Sequence, residues 1–117
     1  MDLSEMVRKQ IEADERRGFT VEFETENERI DQLMREIVGL VGEVGEFSNA
    51  LKKVSLSLTT SDYRGPSLSE ASPHLREELA DAAIYIFRLS TILHGDLERD
   101  ILAKMRVNDE RYRHLEK

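Results

Sequence analysis

The stretch IDQLMREIVGLVGEVGEFSNALKKV, residues 30–54, carries the pattern that decides the fold. Its apolar residues recur at alternating spacings of three and four, which is the heptad pattern of a helix that packs along one side. These residues, called the α2 seam below, are Ile30, Leu33, Ile37, Leu40, Val44, Phe47, Leu51 and Val54. The sequence therefore predicts one long helix packed against other helices.

The segment before this helix is predicted to contain a shorter one. Asp2 can begin a first helix, which would end near Gly18. Residues 19–23 alternate apolar and polar side chains, but a strand there would have no partner, so we expect an extended connector. Thr25 and Glu28 have the spacing of a capping box at the start of the long helix.

Loop and capping signals after the long helix predict a connection and two more helices. A loop rich in Ser and Thr is predicted over residues 56–72. Ser72, which precedes a proline, is predicted as the N-cap of a third helix that Gly95 ends. Asp96 is predicted to cap a fourth helix that runs towards Tyr112.

Length and composition favour one soluble helical domain. The chain has 117 residues, of which 35% are charged, 39% hydrophobic and 6% aromatic. With four helices and no strand predicted, the expected fold class is all-α, of the four-helix-bundle type, in a single domain over residues 1–117. Small helical chains often gain stability by forming oligomers.

Charge and residue usage exclude several classes of function. The net charge of −7 argues against a broad nucleic-acid interface. The absence of cysteine excludes disulfides and thiolate metal sites. No apolar run approaches the roughly 18 residues of a membrane span, and the N-terminal stretch has no secretory apolar region. We therefore expect a cytoplasmic protein without a membrane partner.

Two pairs of carboxylates lie beside the apolar positions. Glu43 and Glu46 are one pair, and Glu78 and Asp81 are the other. The spacing of three places both members of a pair on the same side of a helix, where like charges repel. If the two helices face each other, the four carboxylates form a cluster that suits Mg²⁺ or Mn²⁺. The alternative is an ordinary solvated acidic surface.

Two further patterns accompany these pairs. On the third helix the polar stripe continues from Asp81 to Tyr85 and Arg88 at spacings of four and three. On the long helix, glycines recur at positions 39, 42 and 45, although each costs about 1 kcal/mol relative to Ala. The three glycines indicate close approach of another helix or of a ligand.

Three blocks of the sequence together resemble the MazG-like all-α nucleoside triphosphate pyrophosphohydrolases, and are most similar to the short members that include dCTP pyrophosphatases. The first two blocks are LVGEVGEF at residues 40–47 and ELADAAIY at residues 78–85. The third places Lys104, Asn108, Arg111 and Tyr112 at spacings of four, three and one. The resemblance covers residues 31–112.

The resemblance implies Mg²⁺-dependent cleavage of a nucleoside triphosphate between its α and β phosphates, in a homodimer or homotetramer that cleans the nucleotide pool. It implies that four catalytic carboxylates ligate Mg²⁺, or Mn²⁺, and that Glu46 can help to activate water. The metal ligands would be Glu43, Glu46, Glu78 and Asp81. The substrate contacts would be Tyr85, Lys104, Asn108, Arg111 and Tyr112.

Some assignments stay open at this point. The chain has no tryptophan, on which related enzymes often stack the base, and Phe19, Phe23 or Tyr63 could replace it. The histidines, at positions 74, 94 and 114, are interpreted as surface or capping residues. One alternative function is a pyrophosphohydrolase for a specialised nucleotide such as phosphoribosyl-ATP. The other is a non-catalytic helical dimerisation module that uses the α2 seam.

Overall fold

The computed structural model describes all 117 residues and contains four α-helices and no strand. The helices are α1 (Leu3–Arg16), α2 (Glu26–Thr59), α3 (Leu68–Ile92) and α4 (Leu97–Arg111), and a short 3₁₀ helix (Arg113–Leu115) follows them. The predicted all-α class is confirmed. None of the helices combines the length and the apolar character that crossing a membrane requires.

Local capping explains where the first two helices begin. The side chain of Asp2 accepts a hydrogen bond from the backbone N–H of Glu5, and that of Thr25 accepts one from Glu28. These caps satisfy backbone donors that a helix start leaves free. Gly18 follows α1 with φ +86°, a conformation that favours glycine. The predictions for both starts, and for an extended connector without a strand, are confirmed.

The predicted start of the third helix is wrong. Helix α3 begins one turn earlier, where Ser67 and Glu70 form a reciprocal capping box with bonds of 3.1 and 3.2 Å. Helix α2 also continues to Thr59, so the connection is residues 60–67 rather than 56–72. Pro73 lies inside α3. The earlier start places Ala71 within the helix, where it packs against Val54 of α2.

The end of α3 also differs from the prediction. The helix ends at Ile92, and His94, with φ 60°, takes the left-handed position that glycine usually fills. The N–H of Gly95 donates to the carbonyl of Ser90 at 2.8 Å, and that of His94 donates to Thr91 at 3.0 Å. This pair of bonds is a Schellman motif, so His94 is a capping residue, as predicted.

Helices α2 and α3 pack antiparallel and hold the centre of the structure. One small apolar cluster lies at each end of this helix pair. Val54 packs with Ala71 and Leu75 near the 60–67 connection. At the opposite end Ile92 packs with α1 and the connector, through Ile11 and Val21. Between the two clusters the pair also carries polar side chains, and the candidate site lies among them.

The α2 seam divides into two columns of residues seven apart. Leu33, Leu40 and Phe47 are half-buried and Val54 is buried, so this column packs within the chain. The second column stays 41–53% exposed; it consists of Ile30, Ile37, Val44 and Leu51. The radius of gyration is 18.4 Å, against about 13 Å for a compact domain of this length. One chain alone therefore leaves an apolar side of the predicted bundle uncovered.

Candidate active site

Three carboxylates from α2 and α3 meet in the middle of the helix pair. One oxygen from each of Glu43, Glu46 and Glu78 lies within 4.8 Å of the others. Glu78 is buried, Glu43 is half-buried and Glu46 is exposed. The sequence spacing brings Glu43 and Glu46 to one side of α2, and the antiparallel packing places Glu78 opposite them.

This cluster lacks the partners that buried carboxylates need. Oε2 of Glu43 and Oε2 of Glu78 are buried and accept no hydrogen bond. Such groups destabilise a fold unless something compensates them. The adjacent Glu43 carboxyl, which favours the protonated form, then burial and the neighbouring Glu46 carboxylate raise the pKa of Glu78 to about 7. Hard oxygen donors crowded in this way fit a divalent cation such as Mg²⁺ or Mn²⁺.

The fourth predicted carboxylate lies close by but outside the close group, and a histidine contacts the cluster. Asp81 is exposed and is not in the 4.8 Å group, although it lines the same cavity as Glu43. His74 is exposed, as predicted, yet its Nε2 lies 3.1 Å from Oε1 of Glu78. That contact leaves the other oxygen of Glu78 as the one without a partner.

A cavity of about 630 Å³ runs along the α2–α3 pair and meets this cluster at Glu43. Glu43 and Asp81 line it at one end, and Phe19 and Thr20 of the connector line it at the other. On α2 the lining extends from Gln32 to Glu43, which is about 16 Å along a helix axis. The volume is within the roughly 300–1,000 Å³ range of small-molecule sites.

Tyr85 lines this cavity because Gly39 makes room for it. A Cβ atom on Gly39 would overlap the Tyr85 ring and lie 2.7 Å from its hydroxyl oxygen. The prediction of close approach at the glycines is therefore confirmed at Gly39. A Cβ atom on Gly42 or Gly45 would have no other atom within 4 Å, so these two glycines face open space in one chain.

Sequence comparison identifies related proteins. The chain is 34% identical over 85 residues to dCTP pyrophosphatase 1 of Rattus norvegicus and 33% identical over 85 residues to the Mus musculus protein. Each match covers 73% of this chain and 48% of the relative, so the chain spans about half the length of these curated relatives. No family model and no solved structure matches.

Over these 85 residues the chain is similar to dCTP pyrophosphatase 1. The predicted resemblance to the MazG-like pyrophosphohydrolases is thereby confirmed.

Of the three aromatic residues considered as base-stacking partners, the structure brings one to the cavity. Phe19 lines it and is 58% exposed. Phe23 packs instead against the Ile11 cluster, and the Tyr63 ring lies against Gly65 in the 60–67 connection. Of these three candidates, Phe19 is therefore the one placed to meet a ligand in the cavity.

Within one chain, the predicted substrate contacts on α4 do not reach the site. Helix α4 lies against α1 and α3 and not against α2. None of the predicted residues on or just after α4 lines the cavity; these are Lys104, Asn108, Arg111 and Tyr112. The Arg111 guanidinium instead lies over the Tyr112 ring, 5.3 Å from its centroid. Their predicted role would require a second copy of the chain.

Several residues lining the cavity were not identified from the sequence. Gln32, Arg35 and Glu36 line the cavity from α2, and Asp14 lines it from α1. A signal was present, since polar or small residues recur along α2 at spacings of four, three, four and three. These residues are Gln32, Glu36, Gly39, Glu43 and Glu46. This stripe is the counterpart of the polar stripe on α3.

Proposed function

We propose that this chain hydrolyses (deoxy)nucleoside triphosphates to the monophosphate and pyrophosphate, with a divalent cation, in nucleotide-pool cleaning. The observation that carries the proposal is the carboxylate cluster, with two buried oxygens that lack partners, at one end of a cavity of nucleotide size. The names of the relatives support the reaction class. We propose further that residues 1–117 act as one domain, in the cytoplasm.

The carboxylates define the reacting end of the site. Glu43, Glu46, Glu78 and Asp81 would hold Mg²⁺, or Mn²⁺, which when bound neutralises phosphate oxygens and makes water more acidic. Glu46 is the exposed member of the close group, so it is the carboxylate best placed to accept a proton from the attacking water. Glu43 and Glu78 are more buried, so they would fix the positions of the carboxylates around the cation.

The cavity would take the nucleoside part of the substrate. With the phosphates at Glu43 and Asp81, the cavity leads away from them towards Phe19. An exposed aromatic ring at that end can stack on a purine or a pyrimidine base, since every base has an aromatic surface. Tyr85 lies on the α3 side, between Asp81 and Arg88 in sequence, where it can contact the sugar or the α-phosphate.

The proposed substrate contacts on α4 imply an oligomer. We propose that a second copy covers the exposed column of the α2 seam and brings Lys104, Asn108, Arg111 and Tyr112 to the site. The column is apolar and 41–53% exposed, and a copy of the same chain carries the same unpaired column. Cations and amides from that copy would offset the acidic cluster and bind phosphate oxygens.

We expect this chain to be at least a dimer in solution. Light scattering should give a mass of 27 kDa or more, twice the 13.5 kDa chain. Ile37→Glu places a charge in the exposed column, so it should shift the mass towards 13.5 kDa and lower activity with it. A wild-type mass of one chain, with full activity, would contradict the proposed assembly.

Metal-free stability is expected to depend on pH through Glu78. Its pKa is raised from 4.5 to about 7, so between these values the unfolded chain has released a proton that the folded chain still holds. This group therefore makes the fold less stable as pH rises through that window. Added Mg²⁺ competes with the proton, so it should raise Tm more at pH 8 than at pH 5.

Thermal melts of the wild type and Glu78→Gln at pH 5, 6, 7 and 8 measure this effect. In the variant, Tm should lose the part of its fall between pH 5 and 7 that Glu78 causes. Added Mg²⁺ should raise the Tm of the variant much less than that of the wild type. An equal Mg²⁺ shift at every pH in the wild type would count against Glu78 as a ligand.

Pyrophosphate release from the canonical dNTPs and NTPs, with and without Mg²⁺, tests the proposed reaction. We expect Mg²⁺-dependent release with the nucleoside monophosphate as the other product. No release combined with a Mg²⁺-induced rise in Tm would favour a specialised nucleotide such as phosphoribosyl-ATP. No release and no rise would favour the non-catalytic dimerisation module.

A further inference from the structure

A buried guanidinium joins four segments of the chain at the end of the cavity away from the carboxylate cluster. Arg88 on α3 is 7% exposed. Its Nε donates to Oε1 of Glu36 on α2 at 2.6 Å, and its Nη1 donates to Oδ2 of Asp14 on α1 at 3.0 Å. Glu36 and Asp14 are also buried, at 4% and 6% exposure. We call these three side chains the Arg88 network.

The same guanidinium fixes the backbone of the connector. Nη1 of Arg88 also donates to the carbonyl oxygen of Phe19 at 3.2 Å, and Nη2 donates to that of Thr20 at 3.3 Å. Both carbonyls lie outside any helix, and they are 69 and 68 residues away from Arg88 in sequence. Phe19 and Thr20 line the cavity, so Arg88 sets the position of the cavity wall at that end.

Stability alone is a poor explanation for this arrangement. Two carboxylates share one guanidinium, so the network keeps a net negative charge out of water. Apolar side chains of similar volume often stabilise a fold as well as a buried ion group does. Apolar side chains, however, could not donate to two backbone carbonyls at once. The rigid guanidinium can, because it carries five donors in one plane.

We propose that Arg88 is a positioning residue for nucleoside binding, which holds the Phe19–Thr20 backbone so that the Phe19 ring forms the wall on which the base stacks. The proposal rests on the proposed function, because the nucleoside is that of the nucleotide substrate. Arg88 acts through Phe19 and not on the phosphates, since the carboxylate cluster lies at the other end of the cavity.

A variant that removes the network without leaving buried charges tests this role. Asp14→Leu, Glu36→Leu and Arg88→Met together replace three polar side chains by apolar ones, so the triple variant should fold. Binding is measured by calorimetry with Mg²⁺, using an α,β-imido deoxynucleoside triphosphate and inorganic tripolyphosphate as probes. We expect about tenfold weaker binding of the nucleotide and less than a twofold change for tripolyphosphate.

A second comparison separates positioning from direct contact. Phe19→Ala should weaken nucleotide binding by a similar factor, and adding the triple substitution to Phe19→Ala should cause little further loss. Full additivity would overturn the proposal, because the network would then act independently of the ring. Equal weakening of both probes, or of neither, would overturn it as well.

A readout that needs no ligand completes the test. Amide hydrogen exchange in residues 17–22 should quicken at least tenfold in the triple variant, while exchange around Glu43 stays as in the wild type. Unchanged exchange in residues 17–22 would overturn the proposal. Pyrophosphate release from the wild type tests the proposed reaction separately. If the wild-type protein binds the nucleotide but releases no pyrophosphate, the reaction is refuted and the role of Arg88 in nucleoside binding still stands.

Discussion

Glu43→Gln should lower pyrophosphate release by about 100-fold or more while the protein stays folded. Glu43 supplies an oxygen to the three-carboxylate group and keeps a second oxygen buried without a partner. The substitution keeps the side-chain shape but removes one charge from the proposed cation site. Loss of a residue that only supports a metal ligand already costs about 10–100-fold, so loss of a ligand should cost more.

Two further observations accompany this result. The metal-free Tm of Glu43→Gln should equal or exceed that of the wild type, because less like charge is crowded at Glu78. The rise in Tm on adding Mg²⁺ should disappear.

Glu77→Gln is the matched control for this variant. Glu77 neighbours Glu78 in sequence, but its side chain is 78% exposed and is not in the carboxylate group. It should keep wild-type turnover and the wild-type response to Mg²⁺. If Glu43→Gln turns over as fast as Glu77→Gln, the cluster is not the catalytic site.

Arg88→Met should lower the free energy of unfolding by about 3–5 kcal/mol, which is the usual cost of removing one partner from a buried ion group. The substitution leaves Asp14 and Glu36 buried without their cation, and it leaves two connector carbonyls without a donor. The remaining partners of the carboxylates are Gln10 and Gln32, which are neutral, and Arg17, at 3.7 Å from Asp14. They do not replace a buried guanidinium.

Urea denaturation at one fixed protein concentration measures this change, since stability varies with concentration if the chain is an oligomer. Arg35→Met is the control, because Arg35 lines the same cavity but is exposed and forms no salt bridge. Its effect should stay within about 0.5 kcal/mol. Adding Asp14→Leu and Glu36→Leu to Arg88→Met should recover most of the loss. Equal stability of Arg88→Met and Arg35→Met would show that the network contributes nothing to folding.

Local signals in the sequence were sufficient for most of the helices. Caps act within three or four residues, so Asp2, Thr25 and Asp96 could be recognised without knowledge of the fold. The start of α3 was predicted at Ser72, whereas the structure places the N-cap at Ser67. Burial of Ala71 and Leu75 against Val54 favours the earlier one, and that contact is tertiary.

The candidate site was likewise predicted in part by local signals and decided in part by tertiary contacts. Spacing along one helix paired Glu43 with Glu46 and Glu78 with Asp81, because three residues return a side chain to the same side. Spacing could not tell which carboxylates meet across two helices. The structure brings Glu78 to the α2 pair and leaves Asp81 outside the close group.

Sequence by itself determined the all-α class, the long α2 helix and the positions of the acidic pairs, because each depends on the period of a single helix. Tertiary structure decided which side chains are buried together, including the orphaned oxygens of Glu43 and Glu78 and the contacts of Arg88 with the connector. Arg88 also contacts Asp14 on α1, which lies 74 positions away in the sequence. Only the packing of one helix on another fixes such distances, and no helical period encodes it.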